Sequence, residues 1–209
     1  MSILKKSKLE ILLSKLKVFS KPQLNLEQYP LDGKNASDIL WLAYSLGDIE
    51  NKTIADLGCG TGILGIGALL LGAKKVYFLD QSESAIRIAR ENLQFIENEL
   101  NVQLKNKAMF LIGDIRDFNT KVQVVLQNPP FGTKTEHIDK VFLEKAMKLS
   151  KAAYTLHKTS TLMFIKQLIN KNKLKVTHKI DFKFPLKQTM SFHKQRIKEI
   201  DVSLLRIGQ

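Results

Sequence analysis

The chain has 209 residues, 44% of them apolar, and a formal net charge of +13. That length suits one domain, able to bury roughly 70% of the surface its unfolded chain exposes. No apolar run reaches the roughly 18 residues of a membrane span, the N-terminus lacks a signal peptide's unbroken apolar core, and the single Cys59 excludes internal disulfides and any multi-cysteine zinc site.

These features place the chain in the cytoplasm by default. Its charge is uneven. Residues 1–133 hold 16 Lys and Arg against 14 Asp and Glu, a net of +2, whereas residues 134–209 hold 17 against 6, a net of +11. A basic half beside a nearly neutral one points to a polyanion on one side of the molecule. Lys outnumbers Arg, which suits phosphate contact better than base reading. A Lys-rich solvated surface is the bland alternative.

In chain order, residues 3–18 carry Ile3, Leu4, Leu9, Ile11, Leu12, Leu13 and Leu16 and predict a helix. Lys5, Lys6, Lys8, Lys15 and Lys17 surround that stripe, and the stripe favours capping a sheet over touching a polyanion. A segment bounded by Pro22 and Pro30 follows, then a helix around 35–47. TIADL (53–57) is a short apolar strand, and GCGTGILGIGALLLGA is a glycine turn running into a helix. KVYFLD (75–80) is the next strand, and residues 82–100 form an amphipathic helix with Ser82 as N-cap. AMFLIGD (108–114), QVVLQN (123–128) and AAYTLH (152–157) are further strands, with a helix at about 139–150 between the last two. The tail alternates as two more strands, KVTHKIDFKF and IKEIDVSLLRI.

Strand–helix alternation predicts an α/β fold, a doubly wound and mostly parallel sheet. The expected organisation is a single domain over 1–209, with 1–50 a helical leader and 51–209 the sheet. Ligands in such folds bind at the carboxyl ends of strands. That rule puts the glycine turn, Asp80, Asp114 and Asn128 on one rim.

The glycine turn reads Asp56-Leu57-Gly58-Cys59-Gly60-Thr61-Gly62. By itself it is no more than a tight strand–helix turn. Its context is more telling. A pyrophosphate site wants G-x-G-x-x-G at the helix N-terminus, and an Asp ahead of the loop would repel that anion. The same Asp suits a ligand with an ammonium group, and glycines let the backbone approach it closely. Asp80 can accept from ribose hydroxyls, and Asp114 from an adenine amine. Together these placements describe S-adenosylmethionine.

Asn128-Pro129-Pro130-Phe131 ends the strand at 123–128. The prolines lack N–H groups and fix φ, so they hold the chain extended and expose carbonyls. The Asn128 side-chain oxygen and the Pro129 carbonyl can both accept from one planar –NH2 group. Such a group is a poor nucleophile until its lone pair is directed at the methyl donor. Phe131, read here as an exposed aromatic, can stack on the ring carrying the amine. Catalysis would be positioning plus electrostatics. Adenine N6, guanine N2 and a glutamine amide are all compatible with the motif.

Beyond these features the chain resembles the methyltransferase-like protein 5 family, the N6-adenine methyltransferases of small-subunit ribosomal RNA. The resemblance rests on KPQLNLEQYP (21–30), DLGCGTGILGIGALLLGA (56–73), NPPFGTK (128–134), YTLHKTS (154–160) and SFHKQRIKEIDVSLLRI (191–207). It runs in order over almost the whole chain. It implies a Rossmann-like class I S-adenosylmethionine-dependent methyltransferase fold, with a seven-stranded sheet whose C-terminal strand is antiparallel. It implies that Gln28 and Leu31 lie over the cofactor, with Asp56, Gly58, Gly60, Thr61, Asp80, Gln81, Asp114 and Ile115 around it. Asn128, Pro129, Pro130 and Phe131 would hold the adenine. Two positions depart from the family pattern: Leu31 stands where a Thr is usual, and Gln81 where an apolar residue is usual.

The resemblance also implies a small zinc-binding activator protein that adds a strand to a sheet edge. His157 with Lys158, and His193 with Lys194, are expected in rim loops that touch RNA phosphates, helped by Thr159 and Ser160. Their spacing has no metal-ligand pattern. Other readings are a methyltransferase for DNA adenine, rRNA guanine N2 or release-factor glutamine, and a non-catalytic RNA-binding assembly factor. Phe131 in place of Tyr, and the short leader, argue against the glutamine enzymes. The lack of a target-recognition region argues against the DNA enzymes.

Overall fold

A computed structural model of the chain describes residues 4–19, 31–131, 138–186 and 198–208. Its elements are α1 (Lys6–Ser14), α2 (Gly33–Ser45), β1 (Thr53–Leu57), α3 (Ile63–Leu70), β2 (Lys75–Asp80), α4 (Glu83–Leu100), β3 (Ala108–Ile112), β4 (Val124–Gln127), α5 (Ile138–Leu149), β5 (Ala152–Lys158), α6 (Leu162–Lys171), β6 (Lys175–Leu186) and β7 (Lys198–Gly208). The strands form one seven-stranded sheet in the order β3-β2-β1-β4-β5-β7-β6. The β1–β2, β1–β4, β2–β3 and β4–β5 pairs are parallel, and β7 runs antiparallel to both β5 and β6. This is the doubly wound sheet with an antiparallel C-terminal strand that the sequence predicts.

The sheet is buried on both faces, so its strands read as apolar runs. One face packs Ile54, Val76, Phe78, Val124 and Leu126 under α1 to α4. The other packs Ala55, Leu57, Leu79, Val125 and Ala153 under α5 and α6. Helix α3 is apolar all round because β-sheet, α1 and α2 enclose it. Gly65 lies where a methyl would overlap the Phe78 ring, and Gly67 where one would overlap Leu40. Helix α4 is amphipathic: Ala85, Ile86, Ala89, Leu93 and Ile96 are buried, and Ser82 accepts from the Ala85 N–H at 3.3 Å as its N-cap. Asn101 ends it in the left-handed region at φ 50°.

Helix α1 buries Leu9, Leu12 and Leu13 against the same core, and the residues just after it pair with α4 through Lys15–Glu99 at 2.6 Å and Lys17–Glu91 at 3.0 Å. The helix packs on α2 and α3, outside the helices that cover the sheet, so the apolar stripe is buried as expected but on helices. At the end of the sheet away from the glycine turn, the Tyr154 hydroxyl donates to Asp48 Oδ2 at 2.6 Å and Arg206 Nε donates to the same oxygen at 2.8 Å. This cluster joins the start of β1 to β5 and β7. Its place opposite the ligand rim makes it a structural clamp.

Strand order reverses between β1 and β4, where one strand feeds outward to β2 and the other to β5. A crevice opens at their carboxyl ends. There the structure refines several expectations. Strand β3 stops at Ile112, so Asp114 sits in the following turn rather than in the strand. Strand β4 stops at Gln127, leaving Asn128 just outside it. Strand β5 runs through Lys158 because the long β7 pairs with it, His157 opposite Ser203 and Lys158 opposite Val202. The strand read over 152–157 holds, and it extends one residue further to take in Lys158, which was expected in a rim loop. Helix α6 is an element that the sequence reading did not contain.

Candidate active site

The glycine turn leaves β1 with Gly58 at φ 64°, Gly60 at φ 53° and Gly62 at φ 86°. All three lie in the left-handed region, which glycine enters at least cost because it has no Cβ. A Cβ at Gly58 would also press on the Phe142 ring of α5 at 2.9 Å. The turn curls over the end of β1. Cys59 donates its N–H to the Leu79 carbonyl at 2.9 Å, and Gly60 donates to Asp80 Oδ2 at 2.9 Å. The Ser82 N–H reaches Asp80 Oδ1 at 2.9 Å. The Asp80 carboxylate thus joins the glycine turn, the end of β2 and the start of α4. Burial raises its pKa, and the N–H groups of Ser82 and Gly60 offset part of that rise.

Asp56 lies inside β1 at 1% exposure, with Oδ2 accepting from the Gly65 N–H at 2.8 Å. Burial pushes its pKa up to about 7, the Gly65 hydrogen bond works against the rise, and the charge of Asp80 adds to it. Burial also pushes the Cys59 thiol well above its ordinary range. Asp114 is held by Arg116: Oδ1 accepts from the Arg116 N–H at 2.8 Å and Oδ2 from its guanidinium at 2.7 Å.

One pocket gathers these groups. Among the residues expected around a cofactor, Leu31, Asp56, Gly58, Gly60, Thr61, Asp80, Gln81, Asp114 and Ile115 line it, and Asn128 and Pro130 line it from β4. Gln28 lies outside the described residues. Cys59, Ile63 and Leu64 from the turn and the start of α3 also line the pocket, and the reading of the sequence missed Phe19, Gly113, Arg116, Ile138 and Phe142, which complete the wall. Arg116 was the most legible of these, since an Asp followed two residues later by Arg can pair within one turn. Phe142 arrives from a helix distant in sequence and left no local signal.

The four residues of the Asn-Pro-Pro-Phe stretch do not all face the pocket. Phe131 is 7% exposed, so the exposed aromatic expected there is instead packed: its ring meets Phe184 edge to face at 6.5 Å. The Lys158 ammonium stands 6.0 Å from its centroid. Asn128 follows Gln127, whose Nε2 donates to Thr155 Oγ1 at 2.9 Å, and Thr155 Oγ1 lies 2.9 Å from His157 Nε2. Gln127 Oε1 and His157 Nδ1 are buried and meet no hydrogen-bond partner among the described residues.

That network corrects the expectation for His157. The side chain is 1% exposed and its pKa is pushed down to about 3 by burial, so it is neutral and out of reach of a surface phosphate. Lys158 is partly exposed beside Phe131 and stays on the rim. Thr159 is tied to Ser203 at 3.1 Å, whereas Ser160 is exposed. His193 and Lys194 lie outside the described residues.

Comparison with known proteins follows the same geometry. Residues 40–191 match the family model of ribosomal protein L11 methyltransferase (PrmA). A solved structure of a candidate RNA methyltransferase from Pyrococcus horikoshii superposes with a TM-score of 0.87 at 41% identity, covering 99% of this chain and 98% of that one. The rRNA N6-adenosine-methyltransferase METTL5 of Danio rerio is 35% identical over 97% of this chain and 98% of its own length. The chain belongs to the METTL5 family. A Drosophila melanogaster METTL5 is 36% identical over 99% of this chain. The class I methyltransferase fold of the METTL5 family is the fold described above.

Proposed function

We propose that this METTL5-family chain transfers a methyl group from S-adenosylmethionine to N6 of an adenine in small-subunit ribosomal RNA. The observation that carries the reading is the meeting of Asp56, Asp80, Asp114 and Asn128 in one pocket at the carboxyl ends of four strands. The residues fit the cofactor. The left-handed glycines keep the turn free of side chains, and acceptor groups of graded burial line the wall. Asp56 would face the methionyl ammonium, Asp80 the ribose hydroxyls, and Asp114 with Ile115 and Gln81 the adenine. S-adenosylmethionine supplies an electrophilic methyl group.

The chain's own part is positioning. Asn128 Oδ1 and the Pro129 carbonyl would accept from the two hydrogens of the adenine amine and turn its lone pair toward the donor. Phe131, packed on Phe184, would hold the strand exit that carries Asn128 in place. A target adenine held in structured RNA has to leave its stack to reach this depth. Lys158 at the rim would meet its phosphates.

An edge partner fits β3 better than β6. Strand β3 exposes Met109 at 42% and Ile112 at 58%, an apolar edge that another chain can cover. Strand β6 carries the exposed Lys175, Lys179 and Lys183, which oppose strand addition. We assign the small zinc-binding activator expected from the resemblance to the β3 edge. Met109→Lys with Ile112→Lys should abolish its co-elution on size exclusion. Co-elution unaffected by these changes would reject that edge.

The PrmA match raises a second substrate class, ribosomal protein L11 itself. The METTL5 relatives span nearly the full chain, whereas a ribosomal protein L11 methyltransferase of Acinetobacter baumannii aligns over 30% of it. Labelled S-adenosylmethionine offered with small-subunit RNA and with protein L11 in parallel separates the two. The reading expects label in the RNA fraction; label in the protein alone overturns it.

A further inference from the structure

Helix α6 begins on the same rim as the active site. Strand β5 ends at Lys158, a 3-10 turn covers Thr159–Thr161, and α6 starts at Leu162. Thr161 Oγ1 donates back to the Lys158 carbonyl at 3.0 Å, which fixes the helix start against the end of the strand. Leu162, Ile165 and Ile169 anchor α6 in the core on the α5 face. That anchoring turns Met163 and Phe164 outward, 77% and 45% exposed. Burying them would be favourable and costs the fold nothing, since the core face of α6 is already filled by other residues. Singly, such residues need no explanation. Side by side, on the ligand rim, they do.

Their setting is cationic. From Lys158 to Ile180 the sequence holds six lysines and no carboxylate. Lys166, Lys171, Lys173 and Lys175 are exposed on α6, the turn after it and β6, against which α6 packs, while Lys179 is paired with Asp181 at 2.9 Å. An apolar protein partner would have to cover this charge, whereas a nucleic acid is drawn to it. Lys158 joins the two features, with its ammonium 6.0 Å from the Phe131 ring at the end of the catalytic strand.

We propose that Phe164, backed by Met163, is a stacking platform for an unpaired RNA base close to the target adenine, with Lys166 and Lys158 on the flanking phosphates. This rests on the RNA reading above and adds a contact outside the pocket. Single strands are held by this combination of aromatic faces and a basic track. A base seated on Phe164 would hold its neighbour splayed toward Asn128.

Fluorescence anisotropy with a labelled single-stranded oligoribonucleotide of about 12 nucleotides, over a salt series, tests this on the full chain. Isothermal titration with S-adenosylhomocysteine runs in parallel. Phe164→Ala should weaken RNA binding roughly tenfold with cofactor affinity intact. Its salt dependence should match the wild type, since no charge is removed. Phe164→Trp should restore affinity, and Lys166→Ala should instead flatten the salt dependence. Wild-type binding with an unchanged Phe164→Ala affinity overturns the platform, keeps the RNA reading and leaves this face to a protein partner. No wild-type binding, together with no methyl transfer to RNA, overturns both.

Discussion

Gly60 donates its backbone N–H to Asp80 Oδ2 at 2.9 Å. The carboxylate expected to read the cofactor ribose is therefore also a brace for the turn that approaches the cofactor. Ser82 supplies a second N–H at 2.9 Å on the other oxygen. One residue thus sets the shape of the site and would also supply one of its polar contacts.

Asp80→Ala should weaken S-adenosylhomocysteine binding on the order of a hundredfold, because two charge-assisted hydrogen bonds and a ribose acceptor disappear. Asp80→Asn keeps one carbonyl acceptor and should lose less. Isothermal titration gives the affinities, and a melting curve checks that the fold persists. Wild-type affinity in Asp80→Ala would remove Asp80 from the site.

The buried Asp56 and His157 should give opposite pH slopes to stability. Burial raises Asp56 to about 7, so its folded form binds a proton more readily than its unfolded form. Its contribution is fully present at acid pH, below its unfolded value, and is lost as pH rises toward about 7. His157 is depressed to about 3, so its contribution is present above its unfolded value and is lost as pH falls. Calorimetry across this range should show Asp56→Asn gaining on the wild type as pH rises. His157→Gln should gain on the wild type as pH falls. Parallel curves would contradict the burial of these groups.

If Asp56 faces the cofactor ammonium as proposed, its raised pKa would couple cofactor binding to protons. An ammonium placed beside it favours the carboxylate, so binding below about pH 7 should release a proton and tighten as pH rises. Titrations in buffers of different ionisation enthalpy measure this directly. Zero proton release at pH 6 would place the ammonium elsewhere.

Gly65→Ala should destabilise the chain by about 1–3 kcal/mol, since the added methyl overlaps the Phe78 ring between α3 and β2. Urea unfolding reads this without reference to activity. A neutral effect would mean that α3 can lift from the sheet.

The parts of the fold that local chemistry dictates were legible in the sequence. Strands β1 and β2 and the Ser82 cap fall where the apolar runs and the capping residue place them. The pocket residues Asp56, Asp80 and Asp114 were legible because strand ends in such sheets share a rim. Helix α6 was not, because the exposed Met163 and Phe164 blur the spacing of Leu162, Ile165 and Ile169. His157 was read at the end of the strand 152–157 but expected to reach RNA phosphates, because Lys158, Thr159 and Ser160 read as loop; the pairing with Ser203 on β7 is what extends the strand past it, and its side chain is buried. Phe131 looks exposed beside two prolines, and only the distant Phe184 shows that it is packed. Long-range pairing and packing account for each miss.

The most direct measurement is the identity of the methylated nucleoside. Small-subunit RNA treated with the chain and labelled S-adenosylmethionine is digested to nucleosides and resolved by mass, with Asn128→Ala alongside. The expected result is N6-methyladenosine from the wild type, and loss of at least a hundredfold in Asn128→Ala, which still binds cofactor. Methylguanosine as the product, or full activity in Asn128→Ala, would contradict the assignment of Asn128 to an adenine amine.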